Sequence, residues 1–283
     1  MSRGRGGYIG FNRAPAGQAA SGVWTLREAE AFKRAGAWPV SSSDPDAQTY
    51  ITAVETADGQ ALETGVRSAI NEFVGGCKAD GIWTAIKASC ILAGARTLSG
   101  ALVPLVGTAP TNFNFVSGDY DRETGLVGNG STKYLNANIK DNEQGIAPNN
   151  MHLSVYKTET GSTVGVRYLI GANDSEMYTN GSLLITQSRA APVTSGAATD
   201  NNFIAWSRSN SANYDQRVNS VTTTQTISLT TVANVNIGVF ARVTPSLYST
   251  HRLAFYSIGE AVDLALLDTR VSALITAIDG AIP

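Results

Sequence analysis

DSEMYTNGSLLITQS, residues 174–188, decides the fold class. Asn180-Gly181 stands between two runs of strand-forming residues. That dipeptide suits a two-residue hairpin turn, whose central positions take positive φ. The flanking runs, 174–179 and 182–188, have strand length. Outward from this hairpin, similar runs recur at roughly ten-residue spacing. They cover 84–93, 112–117, 132–137, 151–157, 163–170, 202–208, 213–218, 221–229, 234–243 and 250–258. Turn residues punctuate them: Gly128-Asn129-Gly130, Gly145, Thr160-Gly161 and the polar run from Ser209 to Asn213. Many short strands with turns between them predict a mainly β chain, folded as an antiparallel sandwich or jelly roll.

The two ends depart from this period. Residues 1–22 are rich in Gly, Ala and Arg, lack periodicity and have few large apolar groups, so they read as a flexible or partner-ordered arm. VWTLREAEAFKRAGAWP, 23–39, reads as a short helix between tryptophans. Thr25 and Glu28 have capping-box spacing, and Gly36 stops the helix before Trp38-Pro39. Residues 47–79 carry apolar positions at helical spacing, among them Val66, Ile70, Phe73 and Val74. In 259–279, Val262, Leu266, Val271, Leu274 and Ile278 share one side of a closing helix, ended by Gly280. The expected organisation is an arm with its short helix over 1–43, a helical connector over 44–80, and a sandwich with its terminal helix over 81–283.

Composition narrows the function. Charged residues make up 16% of the 283 residues and the formal net charge is −2. The charged share lies below the roughly 25% of an average soluble domain. No basic field exists to attract nucleic acid. No stretch reaches the roughly 18 apolar residues of a membrane span. The N-terminus lacks the apolar core of a secretory signal. Cys77 and Cys90 fit no metal or redox spacing and read as buried thiols.

Catalytic patterns are absent. Neither His152 nor His251 belongs to a nucleophile or metal motif, and each reads as a structural histidine within a strand. Asp119, Asp121 and Glu123 alternate in SGDYDRETG, which reads first as a solvated turn. A calcium-like oxygen cluster or an acid/base pair of a glycosidase are the two other readings of that run. No cofactor, metal or catalytic residue is therefore assigned. Aromatic side chains beside planar amides suit sugars, which present apolar faces and hydroxyl rims. The stretch 200–217 has Trp206 and Tyr214 with Asn202 and Asn213, and 173–182 has Tyr178. These five are the candidate glycan contacts. The competing reading puts Phe203, Ala205 and Trp206 in the core and the asparagines in turns.

Two stretches carry a family resemblance. GVWTLREAEAFKRAGAWP, 22–39, resembles a segment of tail-fibre and other structural proteins of tailed bacteriophages. VRSAINEFVGGCKADGIWTAIKASCILAGA, DYDRETGLVGNGSTKYLNANI and LAFYSIGEAVDLALLDTRVSALITAI follow in order over 65–283. Together they resemble a phage virion domain of the concanavalin-like, LamG-type jelly rolls. The resemblance implies a virion structural protein located on the particle, with other virion proteins as partners and a homo-oligomeric state, a trimer being usual for fibres. It implies attachment or assembly roles for Trp24, Trp38 and Pro39, to which Leu26 and Phe32 of the same helix are added. It implies an exposed sandwich that handles host cell-surface polysaccharide. Trp83, Gly128, Asn129, Gly130 and Ser131 match turn positions of the family. The metal loop of legume lectins is not visible. A head-decoration protein without a ligand, and a depolymerase of the same fold, are the alternatives.

Overall fold

Tyr134–Lys140 shows how the sequence builds its layers. Leu135, Ala137 and Ile139 are buried, while Tyr134, Asn136 and Asn138 are half-buried and Lys140 is exposed. Side chains alternate across a strand, so the apolar set faces the interior and the polar set faces away. The computed structural model describes residues 25–34, 43–162, 164–197, 202–230, 234–242 and 247–283. Residues 1–45 and 46–283 form two compact units.

In the first unit, α1 (Leu26–Arg34) opens with the expected capping box. The Glu28 amide donates to Thr25 Oγ1 at 3.3 Å, and the Thr25 amide donates to Glu28 Oε2 at 2.9 Å. Leu26 is 91% exposed. Trp24, Trp38, Pro39 and the side chain of Phe32 lie outside the described residues.

The second unit holds α2 (Pro45–Asp58), α3 (Thr64–Ala79), α4 (Leu98–Ala101) and α5 (Leu264–Asp279). Its strands in chain order are β1 (Ile86–Ile91), β2 (Thr111–Phe113), β3 (Tyr120–Asp121), β4 (Gly125–Val127), β5 (Tyr134–Lys140), β6 (Met151–Glu159), β7 (Val166–Ala172) and β8 (Ser175–Asn180). They continue with β9 (Leu183–Ser188), β10 (Val193–Ala197), β11 (Asn202–Arg208), β12 (Tyr214–Val218), β13 (Val221–Gln225), β14 (Asn236–Val239) and β15 (Arg252–Gly259). One sheet runs β13-β12-β11-β6-β15-β4-β3, with β1 also paired to β15. The other runs β10-β9-β8-β7-β14-β5-β2. All their strand pairs are antiparallel, and the fold is the expected sandwich with a C-terminal helix. The expected hairpin joins β8 to β9, but Asn180 pairs with Leu183. The turn is therefore Gly181-Ser182, one residue later than the Asn180-Gly181 dipeptide suggested, with Gly181 at φ +62°. The sequence reading missed the short strands β3 and β4 and the strand β10.

Leu126, Leu135, Leu153, Met177, Trp206 and Val239 belong to the core between the sheets. A second core lies on the far side of the first sheet, where Phe203, Ala205, Ala254 and Phe255 pack with α2, α3 and α5. The helices at 45–79, expected as a connector, are thus a structural layer with buried Tyr50, Val54, Phe73 and Val74. Their apolar stripe needs a partner, and the sheet provides it. Gly76 fits the approach of α3 to α5, because a Cβ there would lie 2.7 Å from the Arg270 guanidinium. Arg270 in turn binds Asp80 at 2.7 and 3.0 Å. Asp263 caps α5 by accepting from the amides of Ala265 and Leu266.

The stretch VGNGST, 127–132, is a corner between sheets, since β4 belongs to one and β5 to the other. Asn129 Oδ1 accepts from the amides of Ser131, Thr132 and Lys133. Gly130 has φ +73°, and a Cβ on Gly128 would lie 2.2 Å from the Ser249 carbonyl. Both glycines are therefore required by geometry. Among the described residues no helix is long and apolar enough to cross a membrane.

Candidate functional site: the outer face of the second sheet

Register places six residues in one row across the second sheet. Thr111 pairs with Asn136, Asn136 with Gly238, Gly238 with Gly171, Gly171 with Glu176, and Glu176 with Gln187. At the usual strand spacing the row spans about 24 Å. It lies on the face away from the interior, because Leu135, Ile170, Met177 and Thr186 occupy the alternate positions and are buried. Thr111 at the rim is exposed, Asn136 is half-buried, and Gly238, Gly171, Glu176 and Gln187 are buried. The two glycines leave the centre of the row without side chains. This row, the trough, has an amide on each side of its glycines and a buried carboxyl among them.

Aromatic residues border the trough. Phe113 stacks on Tyr134 with ring centroids 4.3 Å apart and planes within 4°. Tyr248 stands 6.1 Å from Tyr134. Two strands further on, Tyr168 and Tyr178 meet at 5.0 Å. Phe113 is 36% exposed and Tyr178 is half-buried, so ring surface faces outward at both places.

Glu176 is the unusual group. It is 4% exposed, and burial pushes its carboxyl up from 4.5 to about 7. Arg242 opposes that shift and Asp174 adds to it. Tyr168 donates its hydroxyl to Glu176 Oε1 at 3.3 Å. The Arg242 guanidinium lies over the Tyr168 ring at 5.2 Å, with Nη1 3.8 Å from Glu176 Oε2. Among the described residues, Glu176 Oε2 and Arg242 Nε are buried without a hydrogen-bond partner. Gly171 makes this approach feasible, since a Cβ there would lie 2.4 Å from the Glu176 Cβ.

The other sequence candidates lie elsewhere. Trp206 and Tyr214 are 0% and 1% exposed and meet edge-to-face at 6.4 Å inside the sandwich. They are core residues, and the expected surface platform is corrected accordingly. The cause is strand side: Phe203 and Ala205 face the helices, which sends Trp206 into the inter-sheet core. The Tyr214 hydroxyl bonds with Thr186 there at 3.1 Å. Asn213 builds a loop instead of facing a ligand. Its side chain accepts from Asn210 at 2.8 Å, and its carbonyl accepts from the buried Arg208. Asn202 begins β11, and its side chain is outside the described set. Tyr178 alone of the five stands at the trough.

Both histidines are fully buried, so neither faces solvent. His152 Nδ1 donates to the Glu260 carbonyl at 2.5 Å, leaving Nε2 to accept from Ser257 at 2.9 Å. This Ser–His contact lies beneath the helices with a backbone carbonyl where a triad would place a carboxylate. His251 Nδ1 accepts from the Gly161 amide, so Nε2 carries the proton toward Thr179. Burial lowers both histidines from 6.5 to about 4. In 119–123 both aspartates are committed, Asp119 to Lys133 and the Val116 amide and Asp121 to Thr124 and the Glu123 amide, while Glu123 is exposed. Arg122 turns away to Glu63 at 2.7 Å. The run is a turn between β3 and β4, as its first reading had it. Cys77 and Cys90 are buried free thiols, each pushed up to about 12 by burial. Among the described residues no group of three or more metal-ligating side chains converges.

No protein-family model matches the chain. No curated protein matches it either. Solved structures do. The binding domain of botulinum neurotoxin serotype D aligns with 67% of this chain at 12% identity and a TM-score of 0.46. Domain 4 of an extracellular GH43 arabinanase from Geobacillus stearothermophilus, in complex with arabinotriose, aligns with 58% of this chain and 82% of its own at 10% identity and a TM-score of 0.37. A Trypanosoma rangeli sialidase in complex with sialic acid aligns with 75% of this chain and 39% of its own, at 11% identity and a TM-score of 0.42. The chain spans about half the length of the toxin domain it matches, 51%.

Proposed function

We propose that this chain is a tailed-bacteriophage virion protein whose sandwich binds bacterial surface polysaccharide in the trough of its second sheet. The observation that carries the binding part is the six-residue row with its glycine centre, bordered by Phe113-Tyr134 and Tyr168-Tyr178. Ring faces match the apolar faces of sugars, and the half-buried Asn136 amide matches their hydroxyls. Extended glycans fit a trough that crosses strands. The virion part rests on the resemblance of residues 22–39 and 65–283. The same resemblance makes the N-terminal arm the attachment segment and the protein a homo-oligomer, in which weak glycan contacts sum by avidity.

The surface binds and does not cleave. Glu176 is buried beneath Arg242, Asp174 is bonded to Gln187 at 3.0 Å, and Asp119 and Asp121 are held by their own turn. Polysaccharide fractions from bacterial envelopes, titrated calorimetrically against the full chain, test the reading. Tyr178→Ala and Tyr134→Ala should each weaken binding at least tenfold without releasing reducing ends. Binding that ignores both substitutions would overturn the site, and released oligosaccharide would overturn the non-enzymatic reading. Deleting residues 1–40 should abolish particle association and leave the sandwich folded. A deletion that still joins the particle would refute the attachment role.

A further inference from the structure

Resting on the glycan-binding reading of this face, we propose that Arg242 is a carboxylate-binding position in the trough, so the polysaccharide it takes is acidic, of the uronic-acid type. Arg242 is placed as a held but uncommitted cation. It lies flat over Tyr168, its side chain is 30% exposed, and its approach to Glu176 is a single one at 3.8 Å. A committed arginine–carboxylate pair would be bidentate with shorter contacts. The buried Nε has no hydrogen-bond partner among the described residues, and Tyr178 lies on the same face of β8 as Glu176. A planar fork beside an aromatic ring suits a sugar carboxylate: the ring takes the pyranose face and the fork takes the acid. The chain's net charge of −2 does not oppose this, because charges beyond about 10 Å are screened at ordinary salt.

Glu176 sits beneath the guanidinium as a positioning residue. Ionised, it attracts Arg242 inward and repels an arriving carboxylate. Protonated, it leaves the cation to the ligand. The charged and titratable groups around it are Arg242 beside β14, Tyr168 on β7, Asp174 in the β7–β8 turn, and Tyr178 on its own strand. Gln187 on β9 is neutral. With the carboxyl near 7, ligand binding takes up a proton. Affinity for an acidic glycan falls as pH rises through that value.

The test uses the full chain with an oligogalacturonate, its carboxyl-reduced neutral counterpart, and acetate as the free-anion control. Between about pH 6 and about pH 8 the acidic oligomer should lose about tenfold in affinity, as the protonated fraction of Glu176 does. Glu176→Gln should bind it equally at both values. Arg242→Gln should lose at least tenfold for the acidic oligomer and leave the neutral one unchanged. Acetate should bind far more weakly than the oligomer; equal affinity would reduce the position to a general anion site and overturn the assignment. Equal binding of acidic and neutral oligomers, both sensitive to Tyr178→Ala, would overturn the acidic class while keeping the site. Binding of neither, with envelope polysaccharide still bound through Tyr178, would overturn the uronic-acid assignment alone. Indifference of every glycan to Tyr178→Ala would remove the site itself.

Discussion

The two sheets present opposite solutions to the same problem, a strand layer with two faces. The first sheet buries both: one against its partner sheet and one beneath α2, α3 and α5. Its helix-facing residues are Phe203, Ala205, Ala254 and Phe255. The second sheet buries only its inward set as apolar core. Its other face carries Thr111, Asn136, Glu176 and Gln187 around two glycines. A face built to pack is apolar and close-fitting. A face built to receive something is polar, bordered by rings and lacking side chains at its centre. The contrast is what supports the proposal that the second sheet carries the binding surface.

Substitutions should reveal that division. The largest effect belongs to the helical roof. Truncation after Gly259 removes α5, whose Leu267, Val271 and Ile278 are fully buried, and uncovers Phe203 and Phe255. The expected product aggregates on expression, seen by size-exclusion chromatography; a soluble and equally stable one would break the contrast. Phe255→Ala should cost about 3–5 kcal/mol in urea denaturation. It removes a ring that packs edge-on against Phe73 at 5.7 Å. Gly171→Ala should cost about 1–3 kcal/mol, since its Cβ meets Glu176. Tyr178→Ala on the working face should cost less than about 1 kcal/mol and act on binding instead.

Acid stability sharpens the comparison further. His152 and His251, lowered to about 4, stay neutral in the folded chain. Below their usual 6.5 the unfolded chain takes up protons that the folded chain refuses. Their contribution is therefore lost as pH falls from 6.5 toward 4. Glu176 has the opposite sign. Its folded value of about 7 exceeds 4.5, so between these the folded chain holds the extra proton and stability falls as pH rises. Where the windows overlap, Glu176 offsets one of the two histidines. Glu176→Gln should steepen the acid limb of the melting curve by up to about 1.4 kcal/mol per pH unit. Parallel curves for the two proteins would show that Glu176 titrates normally.

How much of this was legible in the sequence depended on range. The hairpin at Asn180-Gly181, the Thr25–Glu28 cap and the alternation of Leu135, Ala137 and Ile139 are local patterns and were readable. The α5 stripe was read correctly at Val271, Leu274 and Ile278, but Leu266 is exposed and Leu267 takes the buried position. Tyr178 and Glu176 sit two apart on one strand, so their shared face was within reach. Arg242 was not: it joins Glu176 only because β14 lies beside β7. Trp206 and Tyr214 were misplaced for a related reason. Alternation gives a strand two faces but does not say which is interior when helices cover the outer one. In β11 both faces are apolar, and the tryptophan took the inter-sheet side.

The most direct test of the account is amide NMR of the labelled chain titrated with the tightest-binding envelope oligosaccharide. Shift changes should concentrate at Asn136, Gly171, Glu176, Tyr178 and Gln187, with α3 and α5 unmoved. Changes centred on the helical layer, or a bound oligosaccharide that leaves that row unshifted, would contradict it.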